Sequence, residues 1–511
     1  MSQMEIFLSA VAGDITTRSI DFVISKLPKP AAALEDRLHR VLLRAQIIVD
    51  EAMGRQVTNQ AMLQQLGLLS DAMHRGCYLL DTFRYQSSSH NNKDRRQGVS
   101  HPSSLLSRLN SVRDLCFPSG KCAQVQGEMR EVLDRLSSMI LDANELVLFL
   151  ASYAPSVMYR QPYSVHLLLG NCMFGRQIEA QFVIDFLLHH PSAAEEEPEV
   201  LPIIGPFRVG KSTLVAHVCK DQRIHDHFSE TVILSDHDLT SYDGLSAAFR
   251  EGRRCATKHQ DSSSSCKHGP VLLVVEVVGG DLDEDVWNRF YSAYKRWVPI
   301  GSKIIITNRS DKISRLGTTQ TLTLKPLSPE AYWYFFRTLA FGSTDPTSHP
   351  RLTNLAMEIA TTLNGSMIIA NVSARMLRDS FDVSFWGKFA AFMRAQFQKH
   401  VARFGEHPYD LLNQNKAVYF GRIHRRDEQV IAYHQYRHSS QKEVPKITLH
   451  DVTYGDAELP GRFEVLAWRS AIPPYSSYVY ACELQVLKVK ATSGSSANKR
   501  KRSARNGSTL S

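Results

Sequence analysis

Apolar residues recur at helical intervals through the first 150 residues of the chain. Between residues 34 and 52 they are spaced by three and four positions, the period of an amphipathic helix with one buried face. Similar stripes run through residues 66–80 and 123–150, and two prolines, Pro28 and Pro30, follow an earlier helical segment at residues 6–27. The pattern predicts a bundle of four helices, with the polar stretch 86–104 as a flexible loop.

The pattern changes near residue 172, where short apolar runs begin to alternate with helical stretches. The runs at 200–204, 231–234, 271–275 and 303–307 are almost continuously apolar. Such runs are typical of strands that are buried on both faces of a parallel sheet. We therefore expect an α/β domain with crossover helices, interrupted by a surface loop at 255–269.

Beyond residue 340 the pattern is helical again, and after about residue 412 it favours strands. Three strand-like runs, at 446–452, 462–468 and 478–489, are separated by glycine and proline. A length of 511 residues also suggests several domains. The predicted parts are an N-terminal helical domain (1–150), an α/β nucleotide-binding domain (165–340), a helical subdomain (341–412), a strand-rich C-terminal segment (413–490) and a disordered basic tail (491–511).

Composition disfavours several classes of protein. With 43% hydrophobic and 22% charged residues, the chain is neither fibrous nor wholly disordered. Its longest clean apolar run near the middle, 271–275, is far shorter than the ~20 residues that cross a bilayer. Glu5 and the lack of an early basic residue are unlike a secretory signal. The eight cysteines form no C-x-x-C pair, so we expect a cytoplasmic protein without a zinc or disulfide framework.

The positive charge of the chain is concentrated at its C-terminal end. The formal net charge is +9, and subtracting the five basic residues of 491–511 leaves +4 for the rest. These five are Lys499, Arg500, Lys501, Arg502 and Arg505. We interpret the first four as a nuclear import signal. The alternative is a solvated basic tail that touches nucleic acid or anionic lipid without specificity.

The most informative segment is residues 205–213, which begins with a complete G-x-x-x-x-G-K-[ST] after a predicted strand. Gly205 and Gly210 let backbone N–H groups approach a phosphate that a side chain would block. The helix that follows directs its positive N-terminal end at the same group. Lys211 can reach the β- and γ-phosphates, and the Ser212 hydroxyl can bind Mg²⁺. The sequence therefore predicts a P-loop NTPase fold that binds phosphate.

Hydrolysis is a weaker prediction than binding. Glu276 ends a predicted strand where an acid is expected to hold Mg²⁺, but Val277 follows where a second acid would prepare water. Loss of a general base typically costs about 10²–10⁴ in rate, so we expect weak or absent hydrolysis. Asp281 could substitute only if its loop folds back, and we interpret that acidic stretch, with Asp283, as a solvated loop. Arg309 ends another predicted strand, where it is either a γ-phosphate sensor or a surface arginine.

The order of these motifs resembles the NB-ARC module of plant disease-resistance proteins of the coiled-coil class. The matching segments are GPFRVGKST (205–213), LLVVEVV (272–278), GSKIIITNR (301–309) and LTLKPLSPEAYWYFF (322–336), and MFGRQIEAQFVIDFLL (173–188) resembles the motif that opens the module. In the predicted bundle, CYLLDTF (77–83) is similar to a reduced form of that family's acidic helix motif.

The resemblance implies an ADP/ATP switch that controls immune signalling. It places Gly175 and Arg176 near adenine and Arg309 at the terminal phosphate. It also implies that the N-terminal helices bind protein partners and can self-associate. The residues implied to hold phosphate and metal are Gly205, Arg208, Val209, Gly210, Lys211, Ser212 and Thr213, with Glu276 as a further metal ligand.

The chain also departs from the family pattern. Residues 365–368 read Gly-Ser-Met-Ile in place of G-L-P-L, and no M-H-D motif or leucine-rich repeat follows. The strand-rich segment 462–489 instead resembles the tails of short, grass-type members of the family. The favoured function is a nucleotide-binding switch or adaptor in plant defence. The alternatives are an active ATPase that uses Glu276 or Asp281 and, least favoured, a nuclear nucleic-acid-binding protein that uses the basic tail.

Overall fold

Three long helices form the N-terminal part of the computed structural model: α1 (Pro30–Met53), α2 (Gln60–Asp94) and α3 (Lys121–Leu150). Their apolar stripes meet in one core, in which Leu38, Leu136 and Leu150 are fully buried. The three corresponding predicted helices are confirmed, and the predicted helix at 6–27 lies outside the described residues.

The structure describes residues 30–53, 55, 57–94, 121–150, 152–153, 174–189, 197–206, 209–235, 239, 269–277, 282–296, 298–408, 411, 416–425, 427–438, 444–453, 458–469 and 477–486.

A five-stranded parallel sheet forms the central domain, as the apolar runs predicted. Its strands are β1 (Glu199–Ile204), β2 (Glu230–Ser235), β3 (Val271–Glu276), β4 (Lys303–Asn308) and β5 (Leu322–Thr323), in the spatial order β2-β3-β4-β1-β5. The helices of this domain are α4 (Gln177–Leu188), α5 (Lys211–Cys219), α6 (Gln222–His227) and α7 (Glu284–Tyr294), and a 3₁₀ turn covers Asp311–Leu316.

Helices cover both faces of this sheet. On one face, α4 and α5 pack Val183, Leu187 and Leu214 against the strands. On the other face, Trp287 and Phe290 of α7 pack against the opposite side chains of the same strands. Burial on two faces is why these strands are continuously apolar.

Four helices follow the sheet: α8 (Pro329–Phe341), α9 (Pro350–Thr362), α10 (Met367–Asp379) and α11 (Val383–Phe404), with a 3₁₀ turn at Pro346–Ser348. Their apolar core is continuous with the core of the N-terminal bundle. The junction is formed mainly by α8, which includes the fully buried Trp333 and Phe336. The N-terminal bundle is therefore packed against the rest of the chain.

The C-terminal part contains an antiparallel sheet of four strands in the order β6-β7-β9-β8. The strands are β6 (Val418–Gly421), β7 (Glu428–His438), β8 (Arg462–Arg469) and β9 (Ser477–Val486), with a short helix α12 (Leu449–Thr453) before β8. The runs at 462–468 and 478–486 are strands as predicted, whereas β6 and β7 were not predicted. Within the described residues, none of the helices is both long and apolar enough to cross a membrane.

Two local predictions were wrong. Residues 86–94 belong to α2 rather than to a loop, because extending a formed helix costs much less than starting one and needs no apolar period. The run at 446–452 is not a strand. There, Thr448 and Asp451 cap α12 reciprocally, since the Thr448 backbone N–H donates to the Asp451 carboxylate (2.9 Å) and the Asp451 N–H donates to the Thr448 hydroxyl (3.3 Å).

Candidate nucleotide-binding site

The glycine-rich loop joins β1 to α5 at the carboxyl edge of the parallel sheet. Gly210 has φ 99°, a left-handed conformation that favours glycine, and it precedes the first residue of α5. The first helical bond runs from the Leu214 N–H to the Gly210 carbonyl at 2.8 Å. The N–H groups of the first turn, which include Ser212 and Thr213, therefore lack intrahelical acceptors and point toward the loop. Such a helix N-terminus binds an anion.

Gly205 lies where the backbone of the loop passes close to the segment that follows β5. A Cβ at this position would lie 2.6 Å from the carbonyl oxygen of Leu324 and 3.1 Å from Val209. Leu324 is itself tied to β1, because its N–H donates to the Ile204 carbonyl at 2.8 Å. A larger residue at position 205 would therefore displace the loop.

The Lys211 ammonium lies inside the loop. Its Nζ donates to the carbonyl oxygens of Gly205 at 2.7 Å and Pro206 at 2.9 Å. Burial, with a smaller contribution from the positive charge of Arg309, lowers the pKa of Lys211 to about 8. Two cations next to each other, with no ion-pair partner among the described residues, make this a site that favours a phosphate group.

Strand β4 lies between β1 and β3, so the ends of these three strands face the same edge. Arg309 follows β4 directly, and β4 pairs with β1 up to Asn308 opposite Ile204. The structure thus brings Arg309 next to the loop, as predicted. In the described part of the chain its guanidinium has no ion-pair partner.

The predicted metal ligand Glu276 is the last residue of β3, opposite Thr307 of β4. Val277, where a water-preparing acid was sought, is buried and donates its N–H to the Thr307 carbonyl at 3.0 Å. Asp283 is not part of a free acidic loop. It caps α7, since its side chain accepts from the Asp285 N–H at 2.9 Å. Arg208 and Asp281 lie outside the described residues.

Residues 174–176 are fixed beside the irregular segment that follows β5. Gly175 turns the chain with φ 64°. The Arg176 side chain is buried, with Nη1 2.8 Å from Glu179 Oε1 and Nη2 bonded to the Lys325 carbonyl. Both contacts hold the guanidinium within the protein.

Sequence reasoning missed one polar group near this region. Ser366 lies where the related motif has its first leucine, and its carbonyl accepts a 3.0 Å hydrogen bond from the Tyr332 hydroxyl. Its own Oγ is buried and has no partner in the described part of the chain. The hydroxyl could accept or donate one more bond, a property that leucine lacks.

These residues fit a nucleoside phosphate. A glycine that a Cβ would obstruct, an open helix N-terminus and two cations all converge on one edge of the sheet. The Ser212 hydroxyl and the Glu276 carboxylate are the oxygen ligands that Mg²⁺ prefers. Among the described residues, no group of three or more His, Cys, Asp or Glu side chains could hold a metal ion by itself. A metal would therefore be completed by phosphate oxygens.

A P-loop between a central strand and a helix of a parallel sheet defines the class of P-loop nucleotide-binding folds. Among characterised proteins, the chain is similar to the disease resistance protein RGA2 of Solanum bulbocastanum, with 24% identity over 351 residues, 67% of this chain and 34% of that protein. It is also similar to RGA4 of the same plant, with 24% identity over 373 residues, 69% of this chain and 34% of that protein. The predicted resemblance to plant disease-resistance proteins is confirmed. The chain spans about a third of the length of these relatives.

No protein-family model matches the chain. Solved structures with partial similarity include Drosophila ORC bound to DNA (12% identity, 48% of this chain and 66% of that chain, TM-score 0.26) and Cdc6p from Pyrobaculum aerophilum (11%, 47% and 66%, TM-score 0.26). At these TM-scores, neither structure bears on the function of this chain.

Proposed function

We propose that the protein is an ADP- or ATP-binding switch or adaptor in plant defence that acts through protein interactions and hydrolyses ATP weakly or not at all. The observation that carries the proposal is the position of Lys211, with Nζ 2.7 Å from the Gly205 carbonyl and Arg309 close enough to lower its pKa. A β- or γ-phosphate would replace the loop carbonyls as the partner of Lys211. Its negative charge would offset the repulsion between Lys211 and Arg309. Arg309 would then contact the terminal phosphate.

Weak hydrolysis is supported by the environment of Val277. Its backbone N–H is bonded to β4 and its side chain is buried, so no acid projects from this position toward a water molecule. Glu276, at the end of β3, would hold Mg²⁺ together with Ser212. Within the described residues, the site thus keeps the groups that would bind phosphate and has valine where an acid would activate water.

The direct test is isothermal titration of the purified chain with ADP and with ATP in the presence of Mg²⁺. We expect the wild type to bind and Lys211→Ala to lose at least ten-fold in affinity, because the ammonium that contacts the loop carbonyls is removed. Lys220→Ala is the matched control, since Lys220 is exposed at the opposite end of the same helix. Equal affinities for the wild type and Lys211→Ala would refute the proposed site.

An active ATPase is the second candidate, and Glu276 at the end of β3 is the observation that favours it. In that case Glu276→Gln would abolish turnover and preserve ATP binding. We expect instead that the wild type turns over ATP far more slowly than about one per second, a rate that lies at the lower end of the ordinary range for enzymes. A rate at or above that value, lost in Glu276→Gln, would establish the enzyme.

The proposal extends to partners and location. Protein partners, or a second copy of the chain, would bind through the N-terminal helices. Light scattering of residues 1–511 with and without nucleotide tests self-association.

Lys499 to Arg502 would direct import into the nucleus. A chain with these four residues changed to alanine should then lose nuclear accumulation, whereas a DNA affinity that falls steeply with salt and depends on the same residues would favour the nucleic-acid alternative.

A further inference from the structure

A single face of α2 lies along the nucleotide-binding domain. Gln60 donates to Asp185 of α4 at 2.8 Å, and a Cβ at Gly67 would lie 3.0 Å from the side chain of Ile178. Further along, the His74 ring lies 5.3 Å from the ring of Phe174. The Asp81 carboxylate accepts a 2.9 Å hydrogen bond from the Trp333 side chain of α8.

The contact residues Gln60, Gly67, His74 and Asp81 follow each other at intervals of seven positions. A seven-residue spacing keeps side chains on one face over two turns of a helix. The four residues are small or polar, and each contacts a different residue of the α4–α8 side. We call these four residues the docking stripe.

Phe174 is the point where the docking stripe reaches residues 174–176, the segment that the proposed function assigns to the nucleotide. Its ring is nearly buried and lies among His74, Tyr334 (6.1 Å between centroids) and Phe335 (5.4 Å). Two of these rings belong to α8, and the third comes from the N-terminal bundle. Without His74, one side of the Phe174 ring would lose its packing.

The segment after Phe174 is linked to the P-loop by contacts through the residues that follow β5. Gly175 and Arg176 follow it, and the Arg176 guanidinium bonds to the Lys325 carbonyl. The adjacent residue, Leu324, donates to β1 and packs its carbonyl against Gly205. A continuous set of contacts therefore runs from the bundle to the loop.

We propose that the N-terminal bundle positions residues 174–176 for nucleotide binding, with His74 and Asp81 as positioning residues on the docking stripe. The proposal rests on the proposed function. When the bundle is docked, the Phe174 ring is held and the backbone of Gly175 and Arg176 is ordered before the nucleotide arrives. By linkage, bound nucleotide stabilises the docked bundle by the same factor.

The first test measures the affinity of the full chain for ADP. His74→Ala and Asp81→Ala should each raise the Kd at least five-fold, the lower end of typical coupling between sites. His74→Phe should stay within two-fold of the wild type, because it restores a ring against Phe174. The control His39→Ala changes a half-buried histidine on α1, outside the docking stripe, and should leave the Kd unchanged.

The second test is hydrogen exchange without nucleotide, which remains informative if one variant weakens the fold. In His74→Ala, amides at the start of α4 and around Lys325 should exchange faster than in the wild type, and in His74→Phe they should not. Unchanged exchange at α4 together with an unchanged Kd in His74→Ala would overturn the proposal. If the wild type binds no ADP, the proposed function fails, and the exchange measurement alone decides whether the bundle orders the segment.

Discussion

The carboxylate of Asp81 accepts a 2.9 Å hydrogen bond from the indole Nε1 of Trp333, across 252 residues of sequence. The same oxygen lies 3.0 Å from Nη1 of Arg337, one turn further along α8. Both Asp81 and Trp333 are almost completely buried. Burial alone would lower the pKa of Arg337, but the Asp81 charge raises it above its ordinary value. The bundle is thus joined to α8 by an ion pair that is largely buried.

We expect Asp81→Asn to destabilise the chain by about 3 kcal/mol, because it leaves the Arg337 guanidinium buried without a counter-charge while keeping an acceptor for Trp333. Urea unfolding followed by far-UV circular dichroism measures the change. Arg84→Met is the control, since the Arg84–Glu35 pair is partly exposed, and it should cost at most about 1 kcal/mol. A double variant Asp81→Asn/Arg337→Met that is as unstable as the sum of the single variants would show that the two residues do not interact.

The second prediction concerns the pH dependence of nucleotide binding. The pKa of Lys211 is about 8 because the ammonium is buried and close to Arg309, and only its protonated form attracts phosphate. The affinity for ADP should therefore be nearly constant below about pH 7.5, down to the pKa of the terminal phosphate of ADP. It should fall as pH rises above 8. Bound phosphate raises the pKa of Lys211, so binding near pH 8 should take up a fraction of a proton.

Titration calorimetry at pH 7.5, 8.5 and 9.5 in buffers of different ionisation enthalpy measures both effects. Lys211→Arg is the matched variant, because the guanidinium stays protonated over this range. Its affinity should be lower than that of the wild type but nearly independent of pH. If the wild type and Lys211→Arg showed the same pH dependence, titration of Lys211 could not be its cause.

Sequence periodicity predicted the parts of the fold in which burial is regular. The stripe on α1 and the apolar runs of β1, β3 and β4 are direct consequences of one buried helix face and of two buried sheet faces. The motif predicted the place of the P-loop between β1 and α5 and the positions of Gly210 and Lys211 at the start of that helix. The secondary structure around the site could thus be read from the sequence, and the binding roles of its residues stay predictions.

Contacts that depend on tertiary structure could not be predicted. Nothing near Asp81 indicates that its partners lie on α8, and Lys303 is typical of a surface residue although it is 1% exposed. The strand predicted at 446–452 failed because a local Thr448–Asp451 cap outweighed the β-propensity of the run. Pairing over long separations is decided by which surfaces meet, and a periodic pattern reports only that a surface is buried.

The third prediction concerns Lys303 at the start of β4. Its Nζ donates to the carbonyl oxygens of Phe186 (2.7 Å) and His189 (2.8 Å) at the end of α4 and lies 2.7 Å from the Glu199 carboxylate on β1. The ammonium thus joins the last turn of α4 to two strands of the sheet. It also complements the negative end of the α4 dipole.

Lys303→Met should reduce the free energy of unfolding by about 3–5 kcal/mol, because the buried carbonyls and Glu199 lose their donor. The control is Lys295→Met, since the Lys295–Glu197 pair is largely exposed and should cost at most about 1 kcal/mol. Urea unfolding monitored by tryptophan fluorescence, with Trp287 packed on the sheet, measures both. A difference below 1 kcal/mol between the two variants would mean that Lys303 is dispensable.

The last prediction concerns the joint between α11 and the edge of the C-terminal sheet. Two side chains one turn apart on α11 act as acceptors for alternate N–H groups of β6. His400 Nε2 accepts from the Tyr419 N–H at 3.0 Å, and Gln396 Oε1 accepts from the Gly421 N–H at 3.2 Å. They take the place of a further strand and cover an edge that would otherwise be open to pairing.

The joint requires neutral His400. Its Nδ1 lies 2.9 Å from the Gln396 carbonyl and must donate, so Nε2 can accept from Tyr419 only while it is unprotonated. Burial, together with the charge of Arg403, lowers the pKa of His400 below its ordinary value of 6.5. The stabilisation is therefore fully present above about pH 6.5 and is lost as pH falls from there toward the folded-state pKa, since the unfolded chain takes up the proton first.

His400→Gln should flatten this part of the pH profile of stability, because glutamine can still accept from Tyr419 but does not titrate. The measurement is the difference between wild-type and variant unfolding free energies from pH 7.5 to 5, which cancels the contributions of other buried histidines such as His74. His225→Gln is the control, since the His225 side chain is 79% exposed, and its profile should follow the wild type. A wild-type profile that His400→Gln leaves unchanged would show that the joint does not depend on the protonation of His400.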